Sequence, residues 1–283
     1  MRWLIVGGDM RSQALARIAA DNGDSVDIMG LPYVTGTRTV SDVEGERYDA
    51  VVLPLPIAER NGRIPTPLLT DGKDGKGGSD ITPALIAPTL TGNVWGGTPD
   101  VTLTKTVGER GGRLINPNDM ESYAIANAYL TAEGAIVSAL ARYPGALKGT
   151  DVLIVGYGRI ARCLARLLTA WNANVTVCAR HQDARTWAEA EGCRAVSIGA
   201  LATEAERCSI LFQTAPVMLV DAYVIAGMKP GALVSDLTRE GVDFTAAEER
   251  GLIAWRDSGV PGRYSPEAAG GILYDLIKKE SEK

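Results

Sequence analysis

The 283-residue chain contains a single histidine, His181, and only four cysteines. With so little imidazole, a Ser-His-Asp hydrolase, a His-ligated zinc site and a hydroxyacid dehydrogenase with a histidine base all lack the residue they need. Proton transfer falls to Glu, Asp, Tyr, Lys, Cys or water, and no metal site is expected. The cysteines (Cys163, Cys178, Cys193 and Cys208) form no CxxC pair and share no flanking pattern. They read as isolated thiols in a reducing compartment, which points to the cytoplasm. No stretch approaches the roughly 18 apolar residues of a bilayer span. The apolar run in the opening MRWLIVGGDMR is too short for a secretory signal. Net charge is −5 with no basic block, so neither nucleic acid nor a membrane surface is expected as a partner.

Apolar bulk and glycine are what the chain does have. At 46% apolar over 283 residues it can bury two modest cores, and two domains are expected. Residues 152–155 (VLIV) read as a strand buried on both faces. Gly156-Tyr157-Gly158-Arg159-Ile160-Ala161 follows, and then a helical pattern of Ile160, Leu164, Leu167 and Leu168. Strand, glycine turn and helix give the G-x-G-x-x-A of a dinucleotide site, in which Gly156 makes the tight turn and Gly158 lets a pyrophosphate approach. Ala161 lets helix and strand pack closely, and the helix N-terminus turns its amides to the phosphates.

The first residues repeat this pattern more weakly: Leu4-Ile5-Val6, then Gly7-Gly8, then a helix with Leu15, Ile18 and Ala19 on one face. Residues 25–28 and 49–53 read as the next strands. The glycine-rich stretch 71–79 (DGKDGKGGS) reads as a loop. Residues 121–143 are helix-forming, ending before Pro144-Gly145. Later strands are expected at 175–178, 194–196, 210–213, 233–235 and 252–254, with helices near 184–191, 220–226 and 245–250. The fold class is therefore α/β in two domains. An N-terminal, smaller α/β domain spans 1–120, a connecting helix 121–148, a C-terminal doubly wound Rossmann NAD(P)-binding domain 149–265, and a closing helix 266–283.

The strand after the glycine turn ends at Arg180-His181, with no acidic residue to hold a ribose 2′-hydroxyl. A guanidinium suits a 2′-phosphate, so NADP is favoured and NAD is the alternative. Arg180 and His181, with Arg185 nearby, are the candidates for that pocket; solvated charge at a helix start is the other reading. Thr214-Ala215-Pro216 ends the fourth strand of the second sheet and is assigned to the nicotinamide ribose. Asp236, at the end of the fifth, either orients the carboxamide or a water, or caps the next segment. Tyr157, Arg159 and Ile160 complete the cofactor set with Gly156 and Gly158.

Several segments together resemble the dipicolinate synthase A subunit family. Gly7-Gly8-Asp9-Met10-Arg11 resembles its GGDxR opening, and residues 49–56 (DAVVLPLP) its DxxxLPLP strand end. Residues 127–136 (NAYLTAEGAI) are similar to its NAxxTAEGAI helix, Asp236-Leu237-Thr238 to its DLA/DLS strand end, and residues 260–270 (VPGRYSPEAAG) to its LPGKxAPxTAG motif. The matches run in order through nearly the whole chain. Leu130 stands where the family has proline, Arg263 where it has lysine, and Tyr264 where it has a small residue; 71–79 and 92–113 look expanded.

The resemblance implies an oxidoreductase that turns a dihydrodipicolinate-type diacid into pyridine-2,6-dicarboxylate. It also implies a partner, the flavoprotein B subunit, in the cytoplasm of a spore-forming mother cell, and a homo- or hetero-oligomer. Two substrate carboxylates call for cations or helix N-termini. Arg263 is the first candidate, in a Pro-Gly turn. Arg11 is the second, gripping either a carboxylate or Asp9, with the Gly8 amide free for an anion. Thr131 is a candidate carboxylate donor and Glu133 a candidate acid/base, each with a structural role as the alternative. Tyr264 is the candidate general acid, an aromatic packing role being its alternative. A reductase of another small carboxylic acid, or a non-catalytic nucleotide-binding subunit, remains open at this point.

Overall fold

The computed structural model describes residues 1–43, 45–55, 57, 62–69, 81–97, 101–238 and 240–282. They divide into two compact units, Met1–Ala126 with Pro261–Lys283, and Asn127–Val260. In chain order the first unit holds β1 (Arg2–Val6), α1 (Met10–Asp21), β2 (Ser25–Met29), β3 (Arg38–Thr39), β4 (Ala50–Val52) and α2 (Pro83–Ile86). β5 (Asn93–Trp95), α3 (Val101–Glu109) and β6 (Arg113–Ile115) follow, and α4 (Glu121–Leu140) carries the chain onward.

The second unit holds β7 (Asp151–Val155), α5 (Arg159–Ala170), β8 (Asn174–Cys178), α6 (Gln182–Ala190), β9 (Arg194–Val196) and α7 (Leu201–Ala205). It continues through β10 (Ile210–Gln213), α8 (Ala222–Gly227), β11 (Leu233–Asp236), α9 (Phe244–Glu249) and β12 (Ile253–Arg256). α10 (Val260–Tyr264) and α11 (Pro266–Ser281) close the chain.

Each unit is built on a six-stranded sheet, ordered β3-β2-β1-β4-β5-β6 and β12-β11-β10-β7-β8-β9, with all pairings parallel. Both have the doubly wound order, in which the direction of winding reverses beside the first strand of the unit. Alternation along β1 explains its uninterrupted apolar sequence. Trp3 and Ile5 enter one core with Leu15 and Ile277, and Leu4 and Val6 enter the opposite one with Ile64 and Val94. β7 divides the same way, Val152 and Ile154 to one face, Leu153 and Val155 to the other. A strand buried on both faces favours an unbroken apolar sequence, and each such apolar side chain contributes roughly 1.5–3 kcal/mol.

In the first unit α11 packs on α1, and the Tyr274 ring stacks on Trp3 with centroids 5.6 Å apart. Gly270 makes the helix contact close: an added Cβ would stand 2.8 Å from the Leu15 nitrogen.

Much of 92–113 is regular structure and no mere loop: β5, α3 and β6 lie there and complete the first sheet. Three-residue strands carry little alternation of their own: β9 was readable from the regular strand–helix succession around it, and β5 and β6 were not. The Pro-Gly segment at 261–262 is likewise not a turn but lies in α10, where a proline in the first helical turn needs no partner for its missing N–H. The expected loop at 71–79 and Pro56 lie outside the described residues. No helix among the described residues is long and apolar enough to cross a membrane.

Candidate functional site

In the second unit the carboxyl edge of the sheet gathers the glycine turn and two strand ends. Val155 pairs with Cys178 on one side and Gln213 on the other, so Gly156, Ala179 and Thr214 all leave the sheet at one level. Gly156 adopts φ +101° and donates its amide to the Cys178 carbonyl at 2.8 Å. A Cβ there would stand 2.6 Å from Thr214 Oγ1 and 3.3 Å from the Ala215 nitrogen. Glycine is therefore demanded twice, by conformation and by crowding.

Gly158 is different: it caps α5 without a side chain, and no described protein atom lies within 4 Å of where its Cβ would be. The amides of the first turn of α5 have no intrahelical acceptor. Open space, free of side chain, in front of a helix N-terminus fits a pyrophosphate. Ala161 is fully buried and lets α5 lie on the sheet beside Val152 and Ile154.

Tyr157 does not reach toward this space with its hydroxyl. It donates to Glu191 Oε2 at 2.7 Å, and Arg162 binds the other oxygen at 3.1 Å. That pairing holds the Glu191 carboxyl below its usual range, and burial, followed by the hydrogen bond to Glu191, raises the phenol. Only the Tyr157 backbone is left for a phosphate. Arg159 is exposed beside the turn and Ile160 packs against the core.

The end of β8 is basic. Ala179 is buried, and Arg180 and His181 are exposed, with the Arg180 Nε 3.2 Å from His181 Nε2. His181 is the N-cap residue of α6. Arg185 braces this corner by donating to the carbonyls of Ala179 and Arg180, each at 2.8 Å.

Thr214 donates its hydroxyl to the Val155 carbonyl at 2.8 Å, so what it offers a ligand is an acceptor. Ala215 and the exposed Pro216 follow in a loop held by Gln213, whose Nε2 donates to the carbonyls of Ala215 and Val217 at 3.1 and 2.8 Å. The Gln213 Oε1 is buried with no partner among the described residues. Sequence reasoning missed Gln213; its place as the last residue of a strand, before the Thr214-Ala215-Pro216 segment, was the available signal.

Asp236 has the bonding of its second reading, the cap of the next segment. It is fully buried, and its carboxylate accepts from the Thr238 amide (2.8 Å), the Thr238 hydroxyl (2.6 Å) and the Gly241 amide (3.1 Å). The carboxylate is committed to shaping the next turn and is not presented to a carboxamide.

In the first unit the two arginine-bearing motifs come together. Asp9 caps α1, accepting the Arg11 amide at 3.0 Å, and takes the Arg11 guanidinium at Nε (3.2 Å) and Nη2 (2.9 Å). Arg11 is buried, and although desolvation works against its charge, Asp9 holds it above the ordinary value. Tyr123 lies close enough to the guanidinium to feel its charge, yet its buried hydroxyl has no hydrogen-bond partner among the described residues. It is the residue of this cluster that sequence did not suggest, because nothing local marks a tyrosine on the first turn of a helix. Gly262 lies on the Asp9 carboxylate, 2.6 Å separating an added Cβ from Asp9 Cγ. Arg263 follows, exposed, with its guanidinium 5.1 Å from the Tyr264 ring centre.

Gly8 requires correction. At φ +99° it is a glycine by necessity, but its amide donates to the Pro65 carbonyl at 2.7 Å, and that of Gly7 to Met29 at 2.8 Å. Neither is free for an anion. Thr131 is corrected on the same grounds: its hydroxyl donates to the Asn127 carbonyl at 2.7 Å within α4. Glu133, on the same helix, is exposed and has no hydrogen-bond or ion-pair partner among the described residues.

The four cysteines are free. Burial pushes the Cys178 thiol up to about 11 and the Cys208 thiol to about 12, so neither serves as a nucleophile at neutral pH.

Comparison with known proteins agrees with this geometry. Residues 124–247 match the family model of the D-isomer specific 2-hydroxyacid dehydrogenase, NAD binding domain. This stretch spans the glycine turn, Arg180 and Thr214, and its one histidine is the α6 N-cap. The chain is 25% identical to the dipicolinate synthase A subunit of Bacillus subtilis (strain 168), over 97% of this chain and 94% of that protein. The crystal structure of the dipicolinate synthase A subunit from Bacillus halodurans superposes with a TM-score of 0.86 at 26% identity, covering 100% of this chain and 98% of that one. The crystal structure of its Bacillus subtilis counterpart has the same fold, with a TM-score of 0.82 at 23% identity over 100% and 96% of the two chains. The chain thus has the nicotinamide-dinucleotide-binding domain of an NAD(P)-dependent oxidoreductase, and along its whole length it is similar in sequence and fold to the dipicolinate synthase A subunit.

Proposed function

We propose that this protein oxidises a dihydrodipicolinate-type diacid to pyridine-2,6-dicarboxylate with NADP, in the cytoplasm of a spore-forming cell and together with a flavoprotein B subunit. The observation that carries the reading is the joining of the GGDxR and PGR segments through the Gly262–Asp9 contact, in a chain similar over its whole length to a dipicolinate synthase A subunit.

The cofactor choice rests on β8, where Arg180 and His181 stand in place of the acidic residue that would bind a ribose 2′-hydroxyl. A guanidinium there can take a 2′-phosphate in two charge-assisted hydrogen bonds. The glycine turn and α5 would hold the pyrophosphate, with Thr214, Ala215 and Pro216 toward the nicotinamide ribose. When bound, the nicotinamide supplies the acceptor for the hydride that the ring loses on becoming aromatic.

The residues of the first unit do the binding and the proton work. Asp9 uses two of the five N–H groups of Arg11 and leaves the others for a substrate carboxylate. Arg263 binds the second carboxylate, Tyr264, beneath its guanidinium, is the general acid for any hydroxyl leaving the ring, and the ring proton lost alongside the hydride passes to water.

Replacing Arg263 by alanine tests this. Loss of one charge-assisted contact should lower kcat/KM for the diacid on the order of 10- to 100-fold, with NADPH affinity unchanged. Unaltered turnover in Arg263→Ala would contradict the role given to this residue.

A further inference from the structure

Gln213 is fully buried, yet only one end of its amide is satisfied. Both N–H groups go to the loop that follows β10, Nε2 donating to the Ala215 carbonyl at 3.1 Å and to the Val217 carbonyl at 2.8 Å. The amide oxygen, Oε1, is buried with no partner among the described residues. A buried acceptor left unpaired costs stability, and an apolar side chain of similar length would avoid that cost. The fold keeps an amide here against its own stability, and what the amide secures is the loop.

That loop, residues 214–219, is fixed along its length. At its entry the Thr214 hydroxyl and amide both donate to the Val155 carbonyl, at 2.8 and 3.0 Å. At its exit Val220 bridges Val242, and its amide donates to the Gly241 carbonyl at 3.2 Å. Between them, where Pro216, Val217 and Met218 are exposed, the Gln213 amide ties the loop to the end of the sheet. Gly241 packs on that same side chain: an added Cβ would stand 2.4 Å from Gln213 Cγ and 2.8 Å from Nε2. Gly241 is in turn placed by Asp236, whose carboxylate accepts its amide at 3.1 Å. Asp236, Gly241 and Gln213 thus form one buried brace under the loop.

We infer that Gln213 is the positioning residue for the nicotinamide half of the cofactor, its amide setting the path of the 214–219 loop and Asp236 holding that amide in place through Gly241. The inference rests on the assignment of Thr214, Ala215 and Pro216 to the nicotinamide ribose. Buried as it is, Gln213 acts through the backbone of Ala215 and Val217. Orientation is what such a brace secures, and a displacement of about 1 Å can lower a rate on the order of 100-fold.

Two variants test the brace. Gln213→Met removes both donors and the orphaned oxygen at similar length, and Gly241→Ala displaces the amide without removing it. Each variant and the parent are titrated calorimetrically with NADPH and with its adenine half, adenosine 2′,5′-bisphosphate; NADH and AMP form the matching pair. In both variants affinity for the dinucleotide should fall at least about 10-fold, while affinity for the adenine half changes by less than about twofold. Thermal unfolding should place Gln213→Met near or above the parent, because the freed carbonyls lie in a loop open to water. Should one variant fail to fold, the other carries the comparison. A loss shared equally by the dinucleotide and its adenine half, or no loss at all, overturns the inference alone. A parent that binds neither dinucleotide more tightly than its adenine half overturns the placement of the nicotinamide, and this inference with it.

Discussion

Gly262 lies directly against the Asp9 carboxylate, where an added Cβ would come within 2.6 Å of Asp9 Cγ. Asp9 in turn caps α1 and fixes the Arg11 guanidinium. Two motifs from opposite ends of the chain thereby share one anchor, and a methyl group is enough to disturb it. Gly262→Ala should destabilise the protein by about 1–3 kcal/mol, as overpacking does elsewhere, and raise KM for the diacid more than it alters NADPH affinity. Denaturant unfolding and steady-state kinetics check both.

The paired glycines of α11 make a cleaner stability test. Gly270 packs on α1, 2.8 Å separating an added Cβ from the Leu15 nitrogen, whereas Gly271 has nothing within 4 Å. Gly271→Ala should raise stability by up to about 1 kcal/mol through helix propensity. Gly270→Ala should lower it, since α1 and α11 would have to move apart. Equal effects from the two would show that the α1–α11 packing is wrong as described.

Gly156 and Gly158 separate in the same way, now with a ligand readout. Gly156→Ala meets Thr214 and a positive φ, so the fold itself should lose about 1–3 kcal/mol. Gly158→Ala meets no described protein atom and should leave the unfolding midpoint near that of the parent. On the proposed reading its methyl group stands in the path of the pyrophosphate, so NADPH affinity should fall sharply. Calorimetric titration of Gly158→Ala distinguishes a phosphate turn from a merely structural one.

Cofactor choice is tested at Arg180. Arg180→Asp replaces the phosphate partner with one for a ribose hydroxyl. It should weaken NADPH on the order of 10- to 100-fold and weaken NADH little or not at all. A variant that binds both as the parent does would remove Arg180 from the site.

Asp27 provides a pH dependence. It is 2% exposed and accepts from Arg38 (2.8 and 2.6 Å), the Tyr48 hydroxyl (2.7 Å) and Arg2 (3.1 Å). Burial alone would raise its carboxyl, and those donors outweigh burial and hold it below the ordinary value. A carboxyl depressed in the folded state stabilises above its unfolded value of about 3.9, and that contribution is lost as pH falls through the folded value. Asp27→Asn should therefore be much less stable than the parent at pH 7, and the gap should narrow below about pH 4. Urea unfolding at a series of pH values measures it.

What could be read from sequence follows from how far each signal reaches along the chain. β1, β7 and β10 announce themselves as apolar runs because both faces of each are buried, and the β7–α5 glycine turn is contiguous. The exposed position of Arg180 could be placed for the same reason, at the end of a clear strand. β3, with two residues, and β5 and β6, with three each, have no period to detect. The free amide expected of Gly8 is taken by the Pro65 carbonyl, and Thr131 and Asp236 have the bonding of their structural alternatives: the Asn127 carbonyl and the Thr238–Gly241 turn claim groups that look free in a sequence. Residue type shows which groups a side chain carries, and only the fold shows which are already used. Tyr123 and Gly262 illustrate the converse, ordinary residues that matter because of what the chain brings beside them.

The central claim is most directly tested by following formation of dipicolinate. The purified chain is combined with NADP⁺ and the freshly condensed aspartate-semialdehyde/pyruvate product, with and without the flavoprotein B subunit, while the ultraviolet absorbance of the aromatic ring is recorded. The account predicts dipicolinate in the complete mixture, at a rate that falls with Arg263→Ala and with Arg180→Asp. Tight NADPH binding with no aromatic product in either mixture would contradict it and move the protein to a different acid.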